Sequence, residues 1–379
     1  MLPYGRQSID ERDTEAVLAA LRSDWLTTGP VVDDFERALA LSVGAGVGAV
    51  SVTSGTAALH TAYAAAGVGA GDVVLTTPLT FAATATTALQ LGAQVAFADV
   101  DAATGNLSLA SVADALTSRT RVITAVDYAG VPVDASAFTE LAHAHDALFV
   151  EDAAHSIGST FRGVPVGVVA DLTTFSFFPT KNLTTAEGGA VISPTPALVD
   201  RARAFKAHGI VRDPARYRNV EEGAWYYEVQ SLGLNYRLPD VLAALGLSQL
   251  ARLGEFARRR REIVRRYNEG LADVEEVVLP TDPVGTEPVR HLYPVLVERT
   301  RRRAVFDSLR DQGIGVQVNY IPVHHHPLFE DLGYQRGICP VAEDFAAREI
   351  SLPLFPDLSD ADVDHVIDAM RVAVAGRAW

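Results

Sequence analysis

The 379-residue sequence predicts an α/β fold: an αβα sandwich on a mainly parallel seven-stranded sheet, followed by a smaller C-terminal α+β domain. Three observations predict it. Short β-like runs alternate with helical runs through the first part of the chain, the pattern of a parallel sheet covered on both faces. Those runs are continuously apolar, as strands buried on both faces are. Beyond about residue 170 the rhythm changes, first to two strands separated only by a loop and then to a mixed helix-and-strand tail.

In chain order, residues 12–22 and 31–42 read as helices, with apolar positions three and four apart. AVSVT (49–53) reads as a strand and GTAALHTAYAAA (55–66) as a helix closed by Gly67. VVLTT (73–77), QVAFADV (94–100), RVITAVD (121–127) and ALFVEDA (147–153) read as further strands. Residues 81–92, 108–116 and 134–146 read as the helices between them, with Ser108 as an N-cap. LTTFSFF (172–178) and GGAVIS (188–193) leave no room for a crossover helix, so they run antiparallel. One long helix is expected from about Pro239 to Leu271, then strand 291–297, helix 301–312, strand 315–321 and helix 360–374. The expected division is an N-terminal segment 1–12, a large domain 13–250 and a small domain 251–379.

Composition narrows the function. Hydrophobic residues at 48% and charged residues at 21% are ordinary globular usage, which excludes a fibrous or disordered chain. Lys+Arg 32 against Asp+Glu 47 gives a net charge of −15, which weighs against nucleic-acid or anionic-membrane partners. The run Arg258–Arg261 is flanked by Glu255 and Glu262 and reads as a solvated helix face. Cys339 is the one cysteine, so a disulfide framework and multi-cysteine metal sites are excluded. Residues 38–71 and 73–98 carry no charged residue besides His60, yet they are rich in Gly, Ala, Thr and Ser and read as core, not as membrane spans. The acidic N-terminal stretch lacks the pattern of a signal peptide, and a cytoplasmic location is expected.

Three segments carry chemistry. FSFFPTKNLTTAEGGAVIS (175–193) holds Lys181, the first lysine of the chain, in a hydroxyl-rich loop between two strands. A lysine beside buried apolar strands acts as a nucleophile or base when its pKa is depressed; the alternative is a surface lysine at a loop tip. VEDAAHSIG (150–158) ends a strand on Glu151 and Asp152, with His155 just beyond. Open α/β sheets place ligands at such strand ends, where an acid pairs with a cationic ring nitrogen; the alternative is a cap for the next turn. VTSGTAALH (52–60) runs a strand through Ser54, Gly55 and Thr56 into a helix, whose N-terminal N–H groups suit a phosphate; the alternative is plain capping by Ser54. Gly44-Ala-Gly46-Val-Gly48-Ala49 fits a dinucleotide fingerprint in letters only, because it leads into a strand. A lysine, a strand-end acid and a phosphate site together suit pyridoxal phosphate, which needs a covalent lysine, an acid on its pyridinium nitrogen and a phosphate anchor. Phe81 in TPLTFAAT supplies an aromatic for the ring.

Together with KAHGI, LGLNYRLPDVLAALGLSQL and the neighbouring TPLTFAAT, these segments resemble the DegT/DnrJ/EryC1/StrS sugar aminotransferases, which are fold-type I pyridoxal phosphate enzymes. The resemblance runs from LPYGRQSI to REISLPLFPDLSDADVDHVI. LPYGRQSI, TTGPVVDDFE, DYAG (127–130), WYYEVQSLGLNYRLPD and NYIPVHHHPLF point within it to the branch on the route to pseudaminic acid. The resemblance implies that Lys181 carries the coenzyme, Asp152 pairs with the pyridine nitrogen and His155 lies near the phenolic oxygen. It gives Ser54, Gly55, Thr56 and Ser176 to the phosphate and Phe81 to the ring face. Asn235 would reach the phosphate of a partner subunit, making a homodimer with shared sites. Thr80, His208, Arg212, Tyr226, Tyr320 and His324 are the substrate-side candidates. The implied substrates are L-glutamate and a nucleotide-linked 4-keto-6-deoxy sugar, within that branch UDP-2-acetamido-2,6-dideoxy-4-hexulose aminated at C4. The rivals are another keto position, a dTDP- or GDP-linked sugar, and a regulatory protein without turnover. No metal is expected: His324, His325 and His326, read as one strand, would point to alternate faces.

Overall fold

The computed structural model describes residues 1–220 and 222–376. Asp10 caps α1 (Glu11–Leu21) by accepting the Arg12 N–H, and Asp13 returns a bond to the Asp10 N–H, a reciprocal box that satisfies two otherwise free donors. Pro30 opens α2 (Pro30–Val43), where a missing N–H costs nothing. The alternating region then runs β1 (Gly48–Val52), α3 (Gly55–Ala65), β2 (Val73–Thr76), α4 (Ala83–Gln90), β3 (Gln94–Phe97), α5 (Leu109–Ala115), β4 (Thr120–Val126), α6 (Ala135–His143) and β5 (Leu148–Asp152). A small ribbon, β6 (Thr160–Phe161) and β7 (Val164–Pro165), precedes β8 (Leu172–Ser176), β9 (Gly189–Ser193) and α7 (Pro196–Phe205). The sheet order is β1-β9-β8-β5-β4-β2-β3. Among the described residues only β9 runs against its neighbours in this sheet, pairing antiparallel with β1 and β8, as the short loop between residues 178 and 188 requires. Both faces are covered, and Val50, Val74, Val122, Val150 and Val191 lie wholly inside.

After the sheet come β10 (Ile210–Val211), β11 (Glu228–Val229), α8 (Asp240–Ala251) and α9 (Leu253–Leu271). The single helix expected over 239–271 is therefore two. Gly254 weakens helical continuity there, and the buried Arg252 side chain turns inward to Asp13 at 2.9 Å. The remaining elements are β12 (Thr286–Glu287), β13 (Tyr293–Leu296), α10 (Arg302–Asp311), α11 (Pro327–Asp331), α12 (Pro340–Arg348), β14 (Glu349–Leu352) and α13 (Asp360–Ala375). β13 and β14 pair antiparallel, and Ile263, Leu309, Val366 and Met370 pack with them in a second core. Residues 2–8 lie along this part: Leu2 exchanges backbone bonds with residues 313 and 315, both at 2.8 Å, and Ser8 donates to Asp357 at 2.7 Å.

The strand expected over 315–321 does not form. Gln317 alone pairs, with Ser351. The Asn319 N–H goes instead to the Glu349 carboxylate at 2.7 Å, and Pro322 has no N–H to give. The histidine run is likewise not a strand, since Val323–His325 forms a 3₁₀ turn. No helix among the described residues is long and apolar enough to cross a membrane.

Candidate active site

The C-terminal ends of β1, β2, β5 and β8 open on a cleft of about 410 Å³. Ser54 ends the segment after β1 and caps α3, accepting the Ala57 N–H at 3.0 Å. This leaves the N–H groups of Gly55 and Thr56 directed past the helix start, where the helix dipole favours an anion. Ser176, the last residue of β8, lies against Gly55. A Cβ at position 55 would stand 2.8 Å from Ser176 Oγ, so only glycine permits this approach.

Asp152 is the last residue of β5 and is 3% exposed. Its two oxygens are held separately: Thr84 Oγ1 donates to Oδ2 at 2.8 Å and the Ala154 N–H to Oδ1 at 3.2 Å. Thr80 bonds Thr84 at 2.8 Å, one helical turn back, so the acid is oriented by a chain of hydroxyls. Burial pushes its carboxyl upward, while those donors and Lys181 pull it down. Glu151, which alternates to the other face of the strand, accepts from Thr173 and the Gly167 N–H outside the cleft.

Lys181 follows β8 by five residues in a turn closed by its own N–H to the Phe178 carbonyl at 2.9 Å. Burial lowers its amine to about 8, against the opposing pull of Asp152. His155 is 4% exposed, and its Nε2 lies 3.1 Å from the Tyr320 hydroxyl. Burial first, and the Lys181 charge second, hold this imidazole well below its ordinary value, so it is neutral. Its Nδ1 and the Thr174 hydroxyl, both at the cleft, have no partner among the described residues. Phe81 precedes α4 and forms a wall with 62% of its surface exposed, 6.4 Å from the Tyr320 ring.

The cleft thus brings together Ser54, Gly55, Thr56, Thr80, Phe81, Asp152, His155, Ser176, Lys181 and Tyr320. It also includes residues the sequence reading missed: Tyr4, Thr84, Glu187, His291 and Asn319. Thr84 was accessible as the residue one turn from Thr80; Tyr4 and His291 arrive by long-range packing. The donor set fits pyridoxal phosphate: a ready anion site, a buried acid for a ring nitrogen, an amine of lowered basicity and an open aromatic face.

The other candidates lie outside this cleft. His208 and Arg212 line a separate hollow with Arg203, Arg216 and Arg237. Tyr226 bonds Glu228 at 3.2 Å, and Asn235 is exposed, bridged to Ala207. His324 is wholly buried and does not line the cleft, its Nε2 2.9 Å from Glu343. The turn places His325 Nε2 at 3.4 Å from the same carboxylate, so the strand-based reason for keeping these two imidazoles apart does not hold. Glu343 also accepts the Gly337 N–H at 2.6 Å.

Residues 7–371 match the model of the DegT/DnrJ/EryC1/StrS aminotransferase family. The spore coat polysaccharide biosynthesis protein SpsC of Bacillus subtilis is 39% identical over 99% of this chain and 97% of its own length. A UDP-4-amino-4,6-dideoxy-N-acetyl-beta-L-altrosamine transaminase of Campylobacter jejuni is 35% identical over 98% of this chain and 96% of its own. The putative sugar aminotransferase Spr1654 of Streptococcus pneumoniae, solved in its PMP form, superposes with a TM-score of 0.92 at 30% identity over 99% of both chains. With its lysine, acid and phosphate site in one cleft, the chain belongs to the DegT/DnrJ/EryC1/StrS aminotransferase family, whose members are pyridoxal phosphate-dependent sugar aminotransferases.

Proposed function

We propose that this enzyme moves an amino group from L-glutamate to C4 of UDP-2-acetamido-2,6-dideoxy-4-hexulose. The chemistry rests on one observation, the meeting of Lys181 and Asp152 in a single cleft. The substrate rests on the Campylobacter relative and on the sequence segments resembling that branch.

When bound, the coenzyme supplies an electron sink for the carbanion formed at the reacting carbon. The N–H groups of Gly55 and Thr56, with the Ser54 and Ser176 hydroxyls, hold its phosphate. Asp152, kept in place by Thr84 and the Ala154 N–H, holds a proton on the ring nitrogen. His155, neutral, would present a donor to the phenolic oxygen, and Phe81 would lie against the ring. Burial, which lowers the Lys181 amine to about 8, brings its free base within reach near neutral pH, so that it takes the proton from the donor's α-carbon and returns it after transfer. Thr80 and Tyr320 border the substrate side. In this reading residues 13–250 form the coenzyme domain, 251–379 a small domain and 1–12 a segment across the latter. His208, Arg212, Tyr226 and Asn235, placed outside their own cleft, serve the cleft of a second copy in a homodimer. His324, sealed behind the cleft, supports its wall and does not touch substrate.

A panel of UDP-, dTDP- and GDP-linked 4-keto sugars with L-glutamate, read by product NMR, tests this. The expected result is a new C4 amine on the UDP sugar with release of 2-oxoglutarate. Amination of only the dTDP or GDP sugars, or at another carbon, rejects the substrate. No amination, together with no coenzyme fixed to Lys181 by borohydride, rejects the enzyme.

A further inference from the structure

Val323–His325 forms a 3₁₀ turn, in which consecutive side chains stand about 120° apart, against about 180° in a strand. The His324 and His325 rings meet at 4.5 Å and 75°, and both reach Glu343 on α12. His324 Nε2 lies 2.9 Å from Oε1, and His325 Nε2 lies 3.4 Å from Oε2. The second contact is not a hydrogen bond: His325 Nε2 is buried and has no hydrogen-bond partner among the described residues. One ligand atom from each of the three residues lies within 4.8 Å of the other two. Bonds that do not involve these atoms fix the frame. The Val323 N–H donates to the Pro78 carbonyl at 2.9 Å, and the Val341 and Ala342 N–H groups at the start of α12 donate to the Asp99 carboxylate at 2.9 and 2.8 Å. The Gly337 N–H orients Glu343 through Oε1 at 2.6 Å, and the Phe97 ring packs on His324 at 5.8 Å. His324 is wholly buried, while the His325 and Glu343 side chains keep 13% and 15% exposure, an entry from solvent.

We propose that His324, His325 and Glu343 form a binding site for a divalent transition-metal ion of the zinc class, which pins the histidine turn to α12. Two imidazoles and one carboxylate suit Zn²⁺, whereas Mg²⁺ and Ca²⁺ want oxygen ligands throughout. At bond lengths of about 2.0–2.1 Å, a tetrahedral ion holds its ligand atoms about 3.3 Å apart. The two nitrogen-to-oxygen separations, 2.9 and 3.4 Å, bracket that value. Water at the exposed edge supplies the fourth ligand, and the Gly337 N–H on the carboxylate is the kind of outer bond that orients a metal ligand. The expectation of no metal assumed a strand that would part the imidazoles, and the turn removes that obstacle. The ion's role is structural. His324 does not line the cleft, but the turn it stands on follows Tyr320, which does.

The untagged full chain, freed of metal with a chelator and dialysed, is equilibrated with Zn²⁺ and analysed for zinc per chain. One ion per chain is expected, with a Kd on the order of micromolar or tighter. Tm should rise with added Zn²⁺ and not with Mg²⁺. His325→Leu removes one imidazole and keeps bulk, and Glu343→Gln keeps the shape and gives up the charge. Each should weaken zinc binding by about a hundredfold or more and abolish the zinc-dependent rise in Tm. Melting of both variants without metal confirms that they fold. His326→Leu alters the neighbouring histidine, which is not part of the cluster, and should bind zinc as the wild type does. No stoichiometric zinc at about 100 μM free ion overturns the site. Undiminished binding in His325→Leu or Glu343→Gln overturns it as well. So does an equal loss in His326→Leu, which would mark loose binding to the histidine run.

Discussion

Thr84 donates its hydroxyl proton to Asp152 at 2.8 Å, and both side chains are buried. Tyr63, wholly buried, donates to the Thr84 carbonyl at 2.8 Å and fixes the helix end that carries the threonine. Thr84→Val keeps the shape and removes the donor. A hydrogen bond to a charged group is worth about 1.5–3 kcal/mol, so coenzyme affinity should drop on the order of tenfold or more. Equilibrium titration of the coenzyme-free variant measures this. An unchanged affinity would show that Asp152 needs no such support.

The lowered basicity of Lys181 sets a pH dependence for coenzyme attachment. Burial penalises the ammonium, the free amine is the nucleophile, and the rate should therefore climb as pH rises through about 8. An ordinary lysine would still be climbing near pH 10, about two units higher. Stopped-flow absorbance of the apo protein mixed with coenzyme follows the rate. Lys181→Ala should show no attachment at any pH, and a rate that is flat between about pH 7 and 9 contradicts the assignment.

Glu349 gives stability a pH slope. Burial pushes its carboxyl up to about 8 from an ordinary 4.5, so the folded chain keeps a proton that the unfolded chain has lost between those values. Stability from this group is fully present below 4.5 and is lost as pH rises through about 8. Glu349→Gln stays neutral and should retain roughly 1–3 kcal/mol more of its pH 5 stability at pH 8.5 than wild type does. Urea unfolding at the two pH values decides it, and parallel losses in both proteins would refute the assignment.

Gly55 faces a steric limit. An added Cβ would meet Ser176 Cβ and Oγ, both at 2.8 Å. Gly55→Ala should lower Tm by about 3–6 °C. Adding Ser176→Gly removes the obstruction and should return most of that loss, though not the phosphate contact proposed for the serine. Melting curves of the single and double variants test the coupling. Additive losses would place the strain elsewhere.

Much of this site was legible in the sequence because its residues sit at fixed offsets from strand ends. Ser54 follows β1 by two residues, Asp152 closes β5 and Ser176 closes β8, while strand alternation puts Asp152 and Glu151 on opposite faces and the family resemblance picks Asp152. Lys181 was conspicuous as the first lysine in the chain. His291 was not legible, because HLYPVLV shows only the periodicity of a strand, and it meets His155 from a distant segment. The break at Arg252 and the irregular course of 315–321 escaped for the same reason. Each depends on a side chain elsewhere, Asp13 in one case and Glu349 in the other. The histidine turn was misread because apolar spacing around it does not distinguish a strand from a 3₁₀ turn.

Among the described residues, β9 is the strand that links β1 to the rest of the sheet. Ser54 reaches Ser176 and Lys181 only once that strand has slotted between β1 and β8. A nascent chain that ends before residue 189 therefore holds Ser54 and Ser176 but lacks the strand that joins β1 to β8.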